Sequence, residues 1–431
     1  MKKIENIFLG KKILIYGLGK SGISSYKFLK DRATVHLFDD NLKINLKLKK
    51  KLINFQKISL IEFDIIIISP GIDIHNCKLT KYLKKNLSKI YTDLDVFYSF
   101  YRNESITITG TNGKSTTAKI LFDVLLDQKK DVRLIGNIGN PALSEKKITK
   151  KTIFVIEASS YQLEYSKIFS SKYAIILNIS ADHIERHKSL KNYINAKFRL
   201  LDSQTKKCFA YVKKDDKFIK NKLKSEKFKS KIIKVNTKKN YDLFKKINNN
   251  YFITDTNKEN LSFIIEISKK LKLKRYLLLK TIQKFKGLKY RQQTIFKNNS
   301  LTIINDSKST SFSSSIGVLK SNSNILWLLG GIHKKGDRLH LKKKDFKNVR
   351  AFIYGKNKKF FNKELKNKVK FQNFNQLSDA LKNIFDLIER EKLTHNIILF
   401  SPCAASFDSF KNFEDRGYYF SKLIKKHFNG K

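Results

Sequence analysis

The sequence has few of the residues that mark disulfide-rich, zinc-binding or membrane-spanning proteins. Its 431 residues include 3 cysteines and 3 prolines. Cys77, Cys208 and Cys403 are odd in number and far apart, which excludes a disulfide framework and a zinc knuckle. No apolar run is long enough to span a bilayer, and the N-terminus lacks the apolar region and cleavage site of a signal peptide. These absences predict a soluble, cytoplasmic protein.

Negative charge is also scarce, because 37 Asp and Glu residues face 90 Lys and Arg residues, giving a formal net charge of +53. The lysines are spread almost uniformly and accompany abundant Ile, Asn, Phe and Tyr, a set that follows A/T-rich codons. The sequence contains no RNP-like aromatic signature, zinc-finger spacing or basic-helix heptad. We interpret the charge as a result of biased codon usage, carried by solvent-exposed lysines. We therefore expect neither a specific nucleic-acid partner nor a membrane partner. A positive field still favours anionic substrates such as nucleotides.

One heptapeptide predicts a phosphate-binding loop. It consists of Gly110, Thr111, Asn112, Gly113, Lys114, Ser115 and Thr116. A β-branched run at 106–109 precedes it and a helical pattern follows, so backbone N–H groups face a polyphosphate. In such a loop Lys114 reaches the terminal phosphates and the Ser115 hydroxyl can bind Mg²⁺. Ile108 stands where the strict motif has Gly, so an ordinary strand-to-helix turn is the alternative; ATP binding is the working hypothesis.

A glycine-rich turn near the N-terminus is typical of nucleotide-binding Rossmann units. The predicted strand 12–16 leads into Gly17-Leu18-Gly19-Lys20-Ser21-Gly22, and a second strand, 35–38, ends at Asp39 and Asp40. This fingerprint alone would indicate an NAD enzyme. However, the unit stops after one more strand, 64–68, and the phosphate loop follows. We therefore favour a half-size unit that holds one nucleotide, with its diphosphate at the glycines and its ribose or base near Asp39.

Polar residues follow three further predicted strands, near 131–135, 152–157 and 173–179. The candidates are Asn137, Glu157 and His183. Ligands of open parallel sheets sit at the carboxyl ends of strands, so these side chains are expected to converge on the phosphate loop. Glu157 and His183 could ligate Mg²⁺ there. The alternative for Glu157 is a strand-end cap or a salt bridge, and the alternative for His183 is a structural hydrogen bond. The Lys- and Asn-rich stretch 213–250 is expected to form exposed loops and short surface elements.

The C-terminal part predicts a third α/β unit. Strands at 301–305, 324–329, 351–354 and 396–400 alternate with helices near 311–320, 376–391 and 407–427. The predicted fold class is therefore α/β with three domains. These are a Rossmann-like N-terminal domain (1–92), a central P-loop ATPase-type domain (93–297) and a Rossmann-like C-terminal domain (298–431).

Six strand-end motifs together resemble those of the Mur ligases of peptidoglycan synthesis. In order along the whole chain they are GTNGKST, EASSYQLE, the DH of NISADH, the AK of YINAKFR, NDSKST and SPCAASFDSFKNFEDRG. The last motif and the N-terminal GLGKSG are similar to those of the member that adds D-glutamate to UDP-N-acetylmuramoyl-L-alanine. The resemblance implies ATP-driven amide synthesis through an acyl phosphate, with Mg²⁺, small-molecule substrates and a monomeric enzyme.

The resemblance also implies a role for individual positions. The UDP part would be held by Lys20, Ser21, Asp39 and Asp40, and the sugar-peptide part by Asn137. ATP would contact the phosphate loop and Asn257, Asn260, Arg291, Asp306 and Lys308. The metal positions would involve Ser115, Glu157, His183 and Lys197, the last as a carbamate. The incoming D-glutamate would be framed by Thr310, Lys334, Ser406 and Phe413.

The chain departs from the family pattern at three places. Thr256 replaces the usual His before the Asn-x-x-Asn pair, and Lys289-Tyr290 replaces the usual Pro-His before Arg291. The doublet at 334–335 leaves the register of the glutamate contact open by one residue. Three alternatives to the implied function stay open: a sibling amide ligase such as another Mur ligase or a folylpolyglutamate synthase, a non-catalytic nucleotide-dependent binding protein, and a nucleic-acid-binding protein.

Overall fold

The computed structural model describes residues 6–41, 48, 51–239, 242–252, 254–334 and 336–429. Its strands form three separate sheets, one in each of the three predicted α/β units. The predicted fold class is therefore confirmed.

The N-terminal sheet is small and parallel. It contains β1 (Lys12–Tyr16), β2 (Thr34–Phe38), β3 (Ile65–Ile68) and β4 (Ile90–Tyr91), in the order β2-β1-β3-β4. All four residues of β3 are isoleucines and all are buried, as expected where helices cover both faces of a parallel sheet. The glycine-rich turn leads from β1 into helix α1 (Lys20–Leu29).

The central sheet has six parallel strands, with the strand before the phosphate loop near its middle. It contains β5 (Ser105–Thr109), β6 (Val132–Gly136), β7 (Ile153–Glu157), β8 (Tyr173–Ile176), β9 (Phe209–Lys213) and β10 (Lys231–Val235). The order is β10-β9-β8-β5-β7-β6. Because β7 and β8 flank β5, the residues that follow these three strands share one edge of the sheet.

The C-terminal sheet also has six strands, and one edge strand is antiparallel. It contains β11 (Gln293–Lys297), β12 (Leu301–Asn305), β13 (Ile325–Gly330), β14 (Val349–Tyr354), β15 (Lys370–Phe374) and β16 (Asn396–Phe400). The order is β11-β12-β16-β13-β14-β15, and β11 runs antiparallel to β12. Apolar clusters cover both faces of the sheet, and the fully buried Trp327 donates its indole N–H to the Ser401 carbonyl.

Helices connect the strands of each sheet. After α1 they are α2 (Phe55–Ile58), α3 (Thr80–Lys85), α4 (Asp93–Phe100), α5 (Lys114–Asp127), α6 (Ser160–Leu163), α7 (Ile184–His187), α8 (Leu190–Asp202), α9 (Lys217–Ser225), α10 (Asp242–Lys245), α11 (Asp255–Lys270), α12 (Arg275–Lys284), α13 (Phe312–Ser321), α14 (Lys358–Leu365), α15 (Leu377–Arg390) and α16 (Phe413–Asn429). In the part of the chain that the structure describes, none of them combines the length and the apolar composition that crossing a membrane requires.

The chain divides into two compact units. The first unit comprises Met1–Ile179, Lys191–Lys239 and Ser262–Thr281, and it contains the N-terminal and central sheets. The second unit comprises Ser180–Leu190, Asn240–Leu261 and Ile282–Lys431, and it contains the C-terminal sheet. The segment that carries His183 thus belongs to the second unit.

The structure differs from the predicted elements at several places, and strands β4 and β15 and helix α14 were not predicted. The stretch 213–250, expected to consist of loops and short surface elements, contains helix α9 and the edge strand β10. The last helix begins at Phe413 instead of near 407, and a turn precedes it in which the N–H groups of Ser409 and Phe410 donate to the Ser406 carbonyl. Strand β11, which lies within the predicted central domain, pairs with β12 of the C-terminal sheet.

Candidate active site

The predicted phosphate loop joins β5 to α5 as the sequence indicates. Gly113 precedes the helix with a φ of +83°, a left-handed conformation that glycine adopts without strain. The loop is held by Asn178, which follows β8. The Asn112 N–H donates to Asn178 Oδ1 at 2.9 Å, and the Thr111 N–H donates to the Asn178 carbonyl at 2.9 Å. Lys114 curls over the loop and donates to the carbonyls of Gly110 and Thr111.

Three of the predicted side chains meet beside this loop. The Ser115 hydroxyl donates to Glu157 Oε2 at 2.6 Å, and Asn137 Nδ2 donates to Glu157 Oε1 at 2.8 Å. Glu157 is 1% exposed at the end of β7. A carboxylate this deeply buried requires hydrogen-bond partners on both oxygens, and these two residues supply them. The structure therefore brings Ser115, Glu157 and Asn137 together, as predicted from their strand ends.

Lys197 lies under the same loop. It projects from α8, is 1% exposed, and donates from Nζ to the Gly110 carbonyl at 2.7 Å. Its Nζ also lies 4.4 Å from the centre of the Tyr193 ring, whose hydroxyl is 3.0 Å from Thr111 Oγ1. In a chain with so many exposed lysines, this one is buried against the phosphate loop.

His183 lies in the second compact unit, where acidic neighbours surround it. Its Nε2 is 3.4 Å from Asp182 Oδ2, and its Nδ1 is 3.8 Å from Glu185 Oε1. Burial lowers the pKa of the His183 imidazole even though both carboxylates oppose that change. Burial therefore favours the neutral imidazole over its charged form. Its predicted pairing with Glu157 at a metal stays a prediction.

Lys334 forms an ion pair with Asp182, the residue before His183. Its Nζ donates to Asp182 Oδ1 at 2.7 Å, and both side chains are largely buried, with exposures of 14% and 11%. Nearby, burial raises the pKa of Asp337 to about 6, and its carboxylate accepts from the Phe312 N–H. Lys335, the other residue of the doublet, lies outside the described residues.

Asp306 and Lys308 follow β12, as predicted for nucleotide contacts. The Asp306 side chain is buried, and its carboxyl accepts from Ser401 Oγ at 2.9 Å and from the Gln292 N–H at 3.0 Å. Burial raises its pKa to about 7, although Arg291 and Arg416 act in the opposite direction. The Lys308 N–H donates to the Tyr290 carbonyl, which ties this turn to the segment around Arg291.

The predicted Asn-x-x-Asn pair is buried at the start of α11. Asn257 donates from Nδ2 to the Tyr251 carbonyl at 2.7 Å, and Thr256 lies close to Gly317 of α13. Among the residues that the structure describes, Asn260 Nδ2 is one of the buried polar atoms without a hydrogen-bond partner. A buried amide with an unused donor is consistent with a ligand contact.

In the N-terminal sheet the predicted carboxylates are engaged by the protein itself. Asp39 Oδ2 accepts from the Leu18 N–H and thereby closes the glycine-rich turn, while both oxygens of Asp40 accept from the Tyr16 hydroxyl at 2.8 Å. Gly22 is required here, because a Cβ at that position would lie 1.9 Å from the Gly17 carbonyl oxygen. Lys20 and Ser21 begin α1 beside this turn.

Two buried charged residues at these sites were missed by the sequence reasoning. Asp93 hydrogen-bonds to Ser21, and burial raises its pKa to about 6. Arg416 is 0% exposed and donates from Nη2 to the carbonyls of Ser307 and Ala404. Asp93 follows a capping threonine, and Arg416 lies in an amphipathic helix. The local sequence around each residue is therefore typical of an ordinary helix and indicates no functional role. Their long-range partners are visible only in the fold.

The remaining predicted residues lie around the C-terminal sheet. Ser406 is 3% exposed, and its carbonyl accepts from the N–H groups of Ser409 and Phe410. Phe413 is the first residue of α16, and Thr310 lies just before α13. The second unit therefore carries Lys308, Thr310 and Ser406 in loops that follow its strands, and Phe413 at the start of α16.

Comparison with known proteins finds similarity along nearly the whole chain. The family model for the Mur ligase middle domain matches residues 108–278, and the model for the MurD-like N-terminal domain of Mur ligases matches residues 11–90. A Rickettsia felis protein named UDP-N-acetylmuramoylalanine–D-glutamate ligase is 33% identical, and the match covers 97% of this chain and 97% of that protein. A Buchnera aphidicola protein of the same name is 34% identical, with 97% of this chain and 99% of that protein covered.

Solved structures show the same fold. MurC, the UDP-N-acetylmuramate-alanine ligase of Thermotoga maritima, superposes with a TM-score of 0.57 at 16% identity, covering 98% of this chain and 100% of that chain. MurF of Thermotoga maritima in complex with ADP gives a TM-score of 0.54 at 12% identity, with the same coverage. The ordered strand-end motifs and full-length relatives above 30% identity agree, and the chain belongs to the Mur ligase family.

Proposed function

We propose that this chain uses ATP to join D-glutamate to the alanyl carboxylate of UDP-N-acetylmuramoyl-L-alanine. The observation that carries the proposal is the cluster of Ser115, Glu157 and Asn137 beside the phosphate loop. The full-length similarity to ligases named for this reaction supports the choice of substrates. The enzyme would act in the cytoplasm as a monomer on small molecules, without a nucleic-acid or membrane partner.

The phosphate loop would hold the ATP polyphosphate. The N-terminus of α5 presents backbone N–H groups and a positive helix dipole, and Lys114 adds a cation. Lys114 Nζ is bonded to loop carbonyls at 2.8 and 2.9 Å, and it would exchange these for phosphate oxygens when nucleotide binds. In the second unit, Asn257, Asn260, Arg291, Asp306 and Lys308 keep their predicted role as nucleotide contacts.

Mg²⁺ is the metal that the donor atoms fit. The Ser115 hydroxyl and the Glu157 carboxylate are oxygen ligands, which Mg²⁺ prefers, and they already share a hydrogen bond of 2.6 Å. Across the described ranges, no three His, Cys, Asp or Glu side chains gather closely enough to hold a metal by themselves. This suits Mg²⁺, which usually takes one or two carboxylates together with phosphate oxygens and water. Bound there, it would neutralise charge on the transferring phosphoryl group.

Lys197 would complete the metal site as a carbamate. A protonated lysine would repel the metal, whereas a neutral buried amine can form a bond to the carbon of CO₂ and lose a proton. The product is an anion with two oxygens. The Lys197 side chain is buried beneath the loop, and its Nζ donates to the Gly110 carbonyl, which supports this assignment. His183 is kept as the second predicted metal contact.

The UDP part of the substrate would bind at the glycine-rich turn. Lys20 and Ser21 lie at the N-terminus of α1, where a diphosphate is stabilised by the helix dipole. Asp39 and Asp40 are held by Leu18 and Tyr16, so their positions are fixed before the nucleotide arrives. Asn137 would contact the sugar-peptide part while its amide stays bonded to Glu157.

D-Glutamate would be held by Thr310, Lys334, Ser406 and Phe413. Lys334 is paired with the Asp182 carboxylate at 2.7 Å. A glutamate carboxylate has the same chemistry as this partner, so it can replace Asp182 at the Lys334 ammonium. None of these four side chains is a carboxylate that could bind a second amine, so the set favours glutamate over a diamino acid.

The chemistry proceeds in two transfers. An oxygen of the alanyl carboxylate attacks the γ-phosphorus of ATP, and ADP leaves, giving an acyl phosphate. The neutral amine of D-glutamate then attacks the acyl carbon. The tetrahedral intermediate loses a proton from nitrogen and expels phosphate as the amide forms. Lys114 stabilises charge on the transferring phosphoryl group, and the intermediate must be kept from water.

Phosphate release from ATP tests this proposal. The full chain is given Mg²⁺·ATP with UDP-N-acetylmuramoyl-L-alanine and D-glutamate, separately and together. We expect sustained phosphate release only when both substrates are present. Release that requires neither substrate, or none under any condition, would contradict the proposed ligase.

A further inference from the structure

Lys308 and Phe413 are assigned to different ligands, yet their side chains lie against each other. Lys308 follows β12 and is a predicted ATP contact, whereas Phe413 begins α16 and is predicted to frame the amino acid. Lys308 Nζ lies 3.9 Å from the centre of the Phe413 ring. This is a cation–π contact, in which the negative face of the ring attracts the ammonium group.

Hydrogen bonds fix the backbone on both sides of this contact. Ser307 Oγ donates to the Phe413 carbonyl at 2.8 Å, which joins the turn after β12 to the start of α16. The fully buried Arg416 donates from Nε to Ser307 Oγ at 3.1 Å and from Nη2 to the Ser307 carbonyl at 2.7 Å. The Phe413 backbone is therefore held at a set position relative to Ser307, the residue before Lys308.

The Lys308 side chain is the flexible partner. Its backbone N–H is bonded to the Tyr290 carbonyl at 2.9 Å, but four rotatable bonds separate that backbone from the ammonium group. A lysine that binds phosphate gains affinity when its ammonium group is already in place, because less side-chain entropy is lost on binding. The ring, whose centre lies 3.9 Å from Nζ, supplies a surface that restricts those rotamers.

We propose that Phe413 is a positioning residue for Lys308, so that one aromatic ring serves both the nucleotide site and the amino-acid site. This inference rests on the proposed function only for the identity of the two ligands. It follows that changing Phe413 weakens nucleotide binding even when no amino acid is present. A residue that only framed the amino acid would leave nucleotide binding unchanged.

The first test measures binding of Mg²⁺ with the non-hydrolysable analogue AMP-PNP to the full chain by calorimetry, without amino acid. Phe413→Leu removes the ring and should raise the Kd roughly three- to tenfold, the range expected for losing a partly desolvated cation–π contact. Phe413→Trp keeps an aromatic face and should stay within about twofold of the wild type. Phe410→Leu is the matched control, because Phe410 lies nearby in sequence but packs against Tyr419, and its Kd should be unchanged.

A second test keeps the shape of the ring constant. Phenylalanine with one, two or three fluorine atoms at position 413 weakens the negative face stepwise, and the logarithm of the Kd should rise with each fluorine. This series decides the matter if Phe413→Leu does not fold. A Kd that is the same across the fluorinated series, or a wild-type chain that does not bind AMP-PNP, would overturn the proposal. A graded Kd in a chain without ligase activity would retain it and reject the proposed reaction instead.

Discussion

The Ser115 hydroxyl and the Glu157 carboxylate are joined by a hydrogen bond of 2.6 Å beside the phosphate loop. The second oxygen of the same carboxylate accepts from Asn137 at 2.8 Å. Residues from three separate strand ends of the central sheet therefore share one buried carboxylate. In the proposed reaction, Glu157 thus links the residue assigned to Mg²⁺ with the residue assigned to the sugar-peptide part.

Replacing Glu157 with Gln tests this link. The amide has the same shape but no charge, so it is a poor Mg²⁺ ligand and cannot accept from both neighbours. We expect kcat to fall on the order of a hundredfold or more, measured as phosphate release at saturating substrates. The exposed Glu104→Gln is the control and should be active. A Glu157→Gln enzyme with nearly normal kcat would remove Glu157 from the catalytic site.

Lys197→Ala should abolish ligation while the chain stays folded. The variant loses the group proposed to carry the carbamate under the Gly110 carbonyl, and a small added carboxylic acid should restore part of the activity by occupying the vacated anionic site. Activity with and without the additive, and circular dichroism, are the measurements. Lys191→Ala, an exposed lysine of the same helix, should behave as wild type. Full activity of Lys197→Ala without additive would refute the role.

Much of the fold could be predicted because buried parallel strands have apolar runs with clear ends. The strands at 12–16, 301–305 and 396–400 occur at the predicted residues. Strand β10 was missed because it is a lysine-rich edge strand in which only Val235 is fully buried. Its composition is that of a surface loop, and only pairing with β9 makes it a strand.

The site could be predicted where each residue follows a strand, since topology then brings the residues together. This holds for Ser115, Glu157 and Asn137. Asp93 and Arg416 could not be found in this way, because their partners Ser21 and Ser307 are remote in sequence and no local pattern indicates them. A buried charge reveals its role only through the groups that satisfy it.

Lys334→Ala should raise the KM for D-glutamate about tenfold or more, with a smaller effect on kcat, because one charge-assisted carboxylate contact is lost. The ion pair of Lys334 with Asp182 places the ammonium group in a largely buried position where a carboxylate is already accepted. Lys335→Ala should have the smaller effect. Steady-state kinetics with varied D-glutamate compares the two variants, and the reverse ranking would shift the register by one residue.

Asp306 predicts a pH-dependent stability. Its folded pKa of about 7 exceeds the ordinary value of 3.8, because burial disfavours the charge. The folded state therefore retains a proton that the unfolded state loses, so the associated stability is complete below about pH 4 and declines as the pH rises to 7. Asp306→Asn cannot titrate, and its Tm relative to the wild type should increase between pH 5 and 8.

The Asp386→Asn variant serves as the control for this comparison, because it makes the same change at an exposed position. Thermal unfolding followed by circular dichroism at several pH values gives both differences. A Tm difference between Asp306→Asn and the wild type that is constant with pH would contradict the buried, protonated state of Asp306.

The net charge of +53 should have no specific nucleic-acid function. Binding to random duplex DNA, followed by fluorescence anisotropy, should weaken steeply as salt rises, because only diffuse phosphate neutralisation is available. A random duplex and any fixed sequence should bind alike. Tight, sequence-selective binding at physiological salt would show that the charge serves nucleic-acid recognition.

The most direct test of the proposed function compares amino-acid acceptors in one assay. The chain is incubated with Mg²⁺·ATP, UDP-N-acetylmuramoyl-L-alanine and either D-glutamate, L-glutamate or meso-diaminopimelate, and the nucleotide products are identified by mass spectrometry. We predict one product, UDP-N-acetylmuramoyl-L-alanyl-D-glutamate, formed with D-glutamate in step with ADP release. Equal turnover with meso-diaminopimelate or L-glutamate, or no product with D-glutamate, would contradict the account.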